Sequence, residues 1–286
     1  AIQNRCGRCA GSLELALHPE QPVLYVRDPG ALILRVTARP AWTWVARELK
    51  RRGFKPPLRL ARRRLCGWIQ ACPSGPAMAA VCLRLGRGLS LAMAAGNGTA
   101  EARDAALGAA EDGARENGAP LRSAGERWWR RYWRRAPVLN IPHPFLAPFW
   151  RYALYRFGCA TSPGGGVPAG LQGPWVEDDQ IPRWGGDYHF NVNLQQIYTL
   201  AFAAGQESHC LPLFDMIDSW MPLLRHTARI LLDVEDGLWM GMLTTDRGRL
   251  LYHAPGCILD PMVSVWSAHL YWLYWVHTGD RDFLAR

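Results

Sequence analysis

The sequence predicts a multidomain chain of α and β structure, with an antiparallel β-sandwich at the N-terminus and an array of helices after it. Up to about residue 98, short apolar or alternating runs are separated by Pro, Gly and Asp, which is the rhythm of a sandwich. From about residue 121, apolar positions recur at helical spacing in one segment after another. A third observation places the chemistry: a turn-rich stretch with Pro182 and Gly185-Gly186 runs directly into a breaker-free segment that reads as a helix start. The expected division is 1–98 for the sandwich, 99–120 for a linker helix and 121–286 for the helical part.

Taken in order, Val23–Val26, Leu32–Val36, Gly67–Gln70, Ala79–Leu83 and Leu89–Met93 are the expected strands. Between them Trp42, Val45, Ala46 and Leu49 recur at helical spacing. A helix from Thr99 to about Asn117 is expected, with Thr99 as N-cap, Glu101 in the first turn and Gly118 as the stop. In Glu126–Arg135, a turn of about 100° per residue puts Trp128, Trp129, Tyr132 and Trp133 on one arc. The arginines occupy the other. Arginines interleaved with aromatics could grip a nucleic-acid strand, but a stacking platform needs exposed rings, and an amphipathic helix with a buried aromatic face is expected. Further helices are expected over 147–160, 192–204, 211–232 and 262–277. The Gly164-Gly165-Gly166 run follows a helix and is broken by Pro168, which is wrong for a dinucleotide site.

Composition narrows the function classes. With 49% apolar and 20% charged residues over 286 positions, the chain is globular. The net charge of +9 is carried almost wholly by arginine, since Lys50 and Lys55 are the only lysines, and beside abundant Ala and Gly this bias is discounted as a nucleic-acid signal. Cys6-Gly-Arg-Cys9 has a metal-ligand spacing but no second pair to complete four ligands, so neither metal nor cofactor is expected. Scattered cysteines in apolar runs lean toward a reducing compartment, and no apolar run is long enough to span a bilayer. The chain opens at Ala1 without a leader pattern and stops at Arg286 just after a helix, so it reads as a piece of a longer protein, with its compartment and oligomeric state left open.

The stretch that carries chemistry is Leu171-Gln-Gly-Pro-Trp175 followed by Trp184-Gly-Gly-Asp187-Tyr188-His189-Phe-Asn191-Val-Asn193-Leu-Gln195. Amides and an imidazole offer directional hydrogen bonds without net charge, and indole faces offer flat apolar surface. That combination suits a neutral polyol such as a sugar. The plainer reading makes the tryptophans core and the polar side chains helix caps.

This pattern resembles the corresponding segment of glycoside hydrolase family 95, and Trp266–Trp272 with Thr278-Gly-Asp-Arg-Asp-Phe-Leu284 resembles the helix that follows it there. The resemblance implies the first part of an (α/α)6 toroid of the six-hairpin glycosidase type, and an inverting glycosidase acting on a glycan end, α-L-fucosidase-like. A non-catalytic carbohydrate-binding relative is the alternative. It implies catalytic assistance by Asn191 and Asn193, which orient the attacking water, and a sugar contact at His189, with the general acid and base both beyond Arg286. This segment alone is then expected to be inactive. Trp184 and Trp175 would floor the sugar site, Tyr188 would support them, Asp187 would position, and His253 with Asp260 stand in reserve. The expected partner is a carbohydrate substrate, with neither nucleic acid nor membrane. Ile197-Tyr-Thr199 and the acidic Glu177-Asp-Asp179 depart from the fucosidase pattern and leave the sugar open. Two amides two residues apart would diverge by about 200° in a helix, so α-structure is expected to begin after Asn193.

Overall fold

The computed structural model describes residues 2–4, 12–173, 180–251 and 254–286. It divides into two compact units, one built mainly from residues up to Arg130 and the other from Arg131 onward.

The first unit contains β1 (Ile2–Asn4), β2 (Glu14–Leu17), β3 (Val23–Arg27), β4 (Ile33–Val36), α1 (Trp42–Arg51), β5 (Leu58–Arg62), β6 (Leu65–Gln70), β7 (Ala77–Leu85), β8 (Gly88–Gly96) and α2 (Thr99–Gly113). Six strands form one antiparallel sheet in the order β2-β3-β8-β7-β6-β5. One face buries Val23, Tyr25, Ala77, Ala79, Val81 and Ala92 against Ala102, Ala106 and Ala110 of α2. Spaced four apart, these alanines make a single methyl stripe, which lets a helix lie close on a sheet. The helix expected as a linker is thus a layer of this unit. On the other face Val26, Cys82 and Leu89 pack with Ile33 of β4, and β4 pairs with β1 as the small second sheet of the sandwich.

Thr99 does not cap α2. The cap position is Gly98, and the Glu101 carboxylate instead accepts the Asn97 N–H at 2.9 Å. Its longer side chain reaches back past the first turn, as in the reciprocal half of a capping box. The segment after α2 stops at Gly118, whose φ of +75° and whose position 2.4 Å from the Tyr25 ring, measured for an added Cβ, admit only glycine.

A further helix, α3 (Ala119–Arg135), runs across the boundary between the units. Trp128 and Tyr132 are buried along it, Trp129 and Trp133 are half-buried, and the arginines are exposed, so the aromatic arc faces inward.

The second unit continues with α4 (Leu146–Ala160), β9 (Tyr188–His189), α5 (Asn193–Ala203), α6 (Leu211–Ser219), α7 (Met221–Leu232), β10 (Leu243–Thr244), α8 (Pro255–Ile258), α9 (Met262–Thr278) and α10 (Arg281–Leu284). The single helix expected over 211–232 is two, broken at Trp220. Pro222, lacking an N–H, sits in the first turn of α7, where no intrahelical donor is needed. The core is aromatic: Phe214 lies with ring centroids 4.3 Å from Tyr271, 5.6 Å from Tyr274 and 5.1 Å from Phe283. A buried polar set ties α3 to this core within the unit. Tyr132 Oη donates to the Leu154 carbonyl at 2.6 Å, and Gln206 Nε2 donates to the Tyr132 carbonyl at 2.9 Å. His209 Nδ1 lies 2.8 Å from Thr161 Oγ1.

Candidate active site

Antiparallel pairing of β9 with β10 organises the site, with Leu243 opposite His189 and Thr244 opposite Tyr188. Phe190 extends the pairing by donating its N–H to the Met242 carbonyl at 2.7 Å. Alternation along the extended chain then sorts the side chains. Tyr188 and Phe190 turn to one side, where both meet the buried Trp220, with ring centroids 6.5 and 6.0 Å away. Asp187 and His189 turn to the other, where Asp187 Oδ2 lies 3.3 Å from His189 Nδ1. The alternation of polar and aromatic residues thus sends one series against Trp220 and the other to the opposite side of the strand, where Asp187 and His189 are buried as well.

The loop before β9 is held from behind. Leu171 donates its N–H to the Asp187 carbonyl at 3.0 Å, Tyr188 Oη donates to the Pro168 carbonyl at 3.2 Å, and Tyr198 Oη accepts the Ala169 N–H at 2.7 Å. Burial pushes the Tyr188 phenol up to about 12, so it stays protonated and donating. Trp184 stands at φ +59° within a left-handed run that continues through Gly185 and Gly186 at +72° and +69°. That backbone holds its indole 56% exposed and 5.7 Å, edge to face, from the His189 ring.

Burial raises the Asp187 carboxyl above the ordinary range, with the His189 hydrogen bond and charge pulling the other way. Asp187 does not cap α5. Its Oδ1 is buried with no protein partner, as are Asn191 Oδ1, Gln195 Oε1 and Thr244 Oγ1. Gln195 is fully buried, and its amide donates to the Phe190 carbonyl, fixing the peptide just ahead of Asn191. The helix starts at Asn193, one residue earlier than expected, because the turn at Asn191–Val192 already gives Gln196 a carbonyl partner in Val192 at 3.0 Å. Asn193 is exposed and caps nothing that the first turn records. Asp260 accepts the Met262 N–H at 2.9 Å and so starts α9, which is a structural task. Trp175 and His253 lie outside the described residues.

Asp187, Tyr188, His189 and Asn191 therefore sit on one short continuous segment with Trp184 against it. Gln195, the last residue of the motif, joins them, and so does Thr244, which nothing in its own sequence surroundings marks for a role. A separate apolar concavity of about 880 Å³ opens beside Trp133, Val138, Trp150 and Tyr152, and contains none of these residues. It holds an arginine but no carboxyl, amide or imidazole, so it lacks the chemistry of the β9 segment.

Residues 142–286 match the model of the glycosyl hydrolase family 95 catalytic domain. The chain is 31% identical over 137 residues to "Probable alpha-fucosidase A" of Aspergillus niger, an overlap of 45% of this chain and 16% of that protein. It is 28% identical over 144 residues to "Alpha-L-fucosidase 2" of Arabidopsis thaliana, covering 48% of this chain and again 16% of the relative. The overlap thus takes in only a small part of the relatives' length. A solved structure, "Putative kojibiose phosphorylase from human microbiome", superposes with a TM-score of 0.57 at 10% identity, over 92% of this chain and 40% of that one. At that identity the likeness is one of fold, an N-terminal antiparallel β unit followed by the first part of an (α/α)6 toroid. With the family model covering more than half of the chain, and both motif segments inside the covered part, the chain belongs to glycosyl hydrolase family 95.

Proposed function

We propose that this chain supplies the sugar-contacting and water-positioning wall of an inverting glycosidase that removes an α-L-fucose-like residue from a glycan end. The observation that carries the reading is the Asp187–His189 pair followed by Asn191, whose Oδ1 is buried with no protein partner. An amide oxygen is not basic, but its lone pairs accept an O–H and so fix the orientation of a water. The proton must then go to a carboxylate elsewhere, across a gap of ~6.5–9.5 Å from the general acid in an inverting site. By the resemblance, both carboxyls lie outside this segment. With Nδ1 of His189 facing Asp187, Nε2 is the nitrogen offered to a sugar hydroxyl. The exposed indole of Trp184 offers the apolar face of the ring a surface, with Tyr188 supporting the segment from behind. Trp175 and His253 complete the proposed contacts, and Asn193 shares the water with Asn191. The fucosidase names of the relatives support the sugar class.

The test is made in the full-length enzyme. Asn191→Ala is expected to lower kcat by a factor of ~10²–10⁴ with Tm unchanged, and Asn193→Ala to follow it with a smaller loss, its side chain being exposed. Near-full kcat with a lowered Tm in both variants would make the amides structural and defeat the assignment. The 286-residue chain alone is expected to turn over no aryl fucoside.

A further inference from the structure

Strands β6 and β7 bring two cysteines face to face. Cys66 and Cys82 are direct partners in the antiparallel register. Two residues further along the same ladder, Arg84 donates its N–H to the Arg64 carbonyl at 2.8 Å. Hydrogen-bonded and non-hydrogen-bonded pairs alternate, so Cys66 and Cys82 form a hydrogen-bonded pair, with Cα atoms about 5.5 Å apart. That Cα spacing lies within the range a disulfide spans, and directly opposed side chains leave the sheet on the same face, so closing the bridge requires the two Cβ atoms to draw together by about 1 Å. Both thiols are free. They differ in exposure: Cys82 is buried with Val26, Ile33 and Leu89, whereas Cys66 is half-buried, its Sγ 3.8 Å from the Val36 carbonyl oxygen. Burial first, and then the adjacent Cys66 sulfur, push the Cys82 thiol up to about 12.

We propose that Cys66 and Cys82 are a redox modification site, at which a peroxide closes a cross-strand disulfide between β6 and β7. Cys66, the reachable sulfur, attacks one peroxide oxygen as its thiolate. The O–O bond breaks, the departing hydroxide takes up the thiol proton as water, and the sulfur is left as a sulfenic acid. Cys82 then attacks the Cys66 sulfur. The S–O bond breaks, and that hydroxide leaves with the Cys82 proton as a second water. Two thiols and one hydrogen peroxide become one disulfide and two waters, the thiols supplying the two electrons. Cys82 is the resolving partner, because burial keeps it away from the oxidant, and it gives up its proton to the departing hydroxide as it attacks the adjacent Cys66 sulfur. The site lies in the sheet unit and does not depend on the glycosidase reading.

The test treats the 286-residue chain with hydrogen peroxide, alkylates it under denaturing conditions, digests it without reductant and maps the peptides by mass spectrometry. The expected product is a cross-linked peptide joining Cys66 to Cys82, present only after peroxide and removed by dithiothreitol. In Cys82→Ala, dimedone should trap a sulfenic acid on Cys66. Oxidation of wild-type Cys66 to a sulfinic acid without a bridge, its coupling to Cys6, Cys9 or another chain, or both thiols remaining open to alkylation would each overturn the proposal. These outcomes are read on the wild-type chain and need no variant to fold.

Discussion

The sheet unit and the helical unit bury different materials. The first closes its core with methyl groups, Ala102, Ala106 and Ala110 against Ala77, Ala79 and Ala92, while the second fills its core with Phe190, Tyr198, Phe214, Trp220 and Tyr274. Their polar atoms divide too. Among the described residues, Ser90 Oγ is the buried side-chain atom without a partner in the sheet unit. The helical unit has Ser162 Oγ, Asp187 Oδ1, Asn191 Oδ1, Gln195 Oε1 and Thr244 Oγ1. Each such atom costs roughly 1–3 kcal/mol, so the gathering of four of these five around β9, β10 and the start of α5 is not what stability alone would select. The contrast separates a sheet unit with one such atom among the described residues from a segment that, on the proposed reading, is held in place at a cost for what it binds.

The comparison can be broken in four ways. Phe214→Ala should have the largest effect, about 3–5 kcal/mol from lost burial and the cavity left among three rings, read by denaturant unfolding. A loss below ~1 kcal/mol would mean that the aromatic core is loosely packed. Acid comes next. Burial holds His209 down to about 4, below its ordinary 6.5, so the unfolded chain takes up the proton first. Stability from this group is complete above about pH 6.5 and is lost as pH falls toward 4, by about 3 kcal/mol in all. A His209→Gln variant should lack this acid limb. In the sheet unit, Ala106→Leu should cost ~1–3 kcal/mol by forcing α2 off the sheet, since the stripe has no room for more than a methyl. Asp187→Asn should move stability least, by less than ~1 kcal/mol, because it removes a desolvated charge with one oxygen unpartnered. A drop as large as that of Phe214→Ala would make Asp187 structural and erase the distinction.

Five strands were legible from alternation, and within the large sheet the two that were not, β2 and β5, are its two edges. Edge strands pair on one side and bury little: Leu15 and Leu17 of β2 are 63% and 62% exposed, and β5 has no buried residue. Their sequences therefore carry no clean two-residue period. The break at Trp220 was missed for a related reason, since Pro222 is compatible with either a helix start or a kink, and only the packing of Trp220 decides. Within the candidate site, Asp187, His189 and Asn191 could be named from the sequence because they lie along one continuous segment. Thr244 could not. It comes from a strand of two residues, too short to leave a pattern, and its burial depends on a pairing formed across more than fifty residues of chain.

The hairpin after β10 carries one further consequence. Gly248 lies at φ +69°, and an added Cβ there would stand 2.6 Å from the Trp220 indole, whose Nε1 already donates to the Asp246 carbonyl at 3.2 Å. Trp220 in turn backs Tyr188 and Phe190, the two residues that flank His189 in the chain. A single methyl at the hairpin would thus act as a wedge at the far end of a lever, with the indole as its arm and the imidazole as the point that moves.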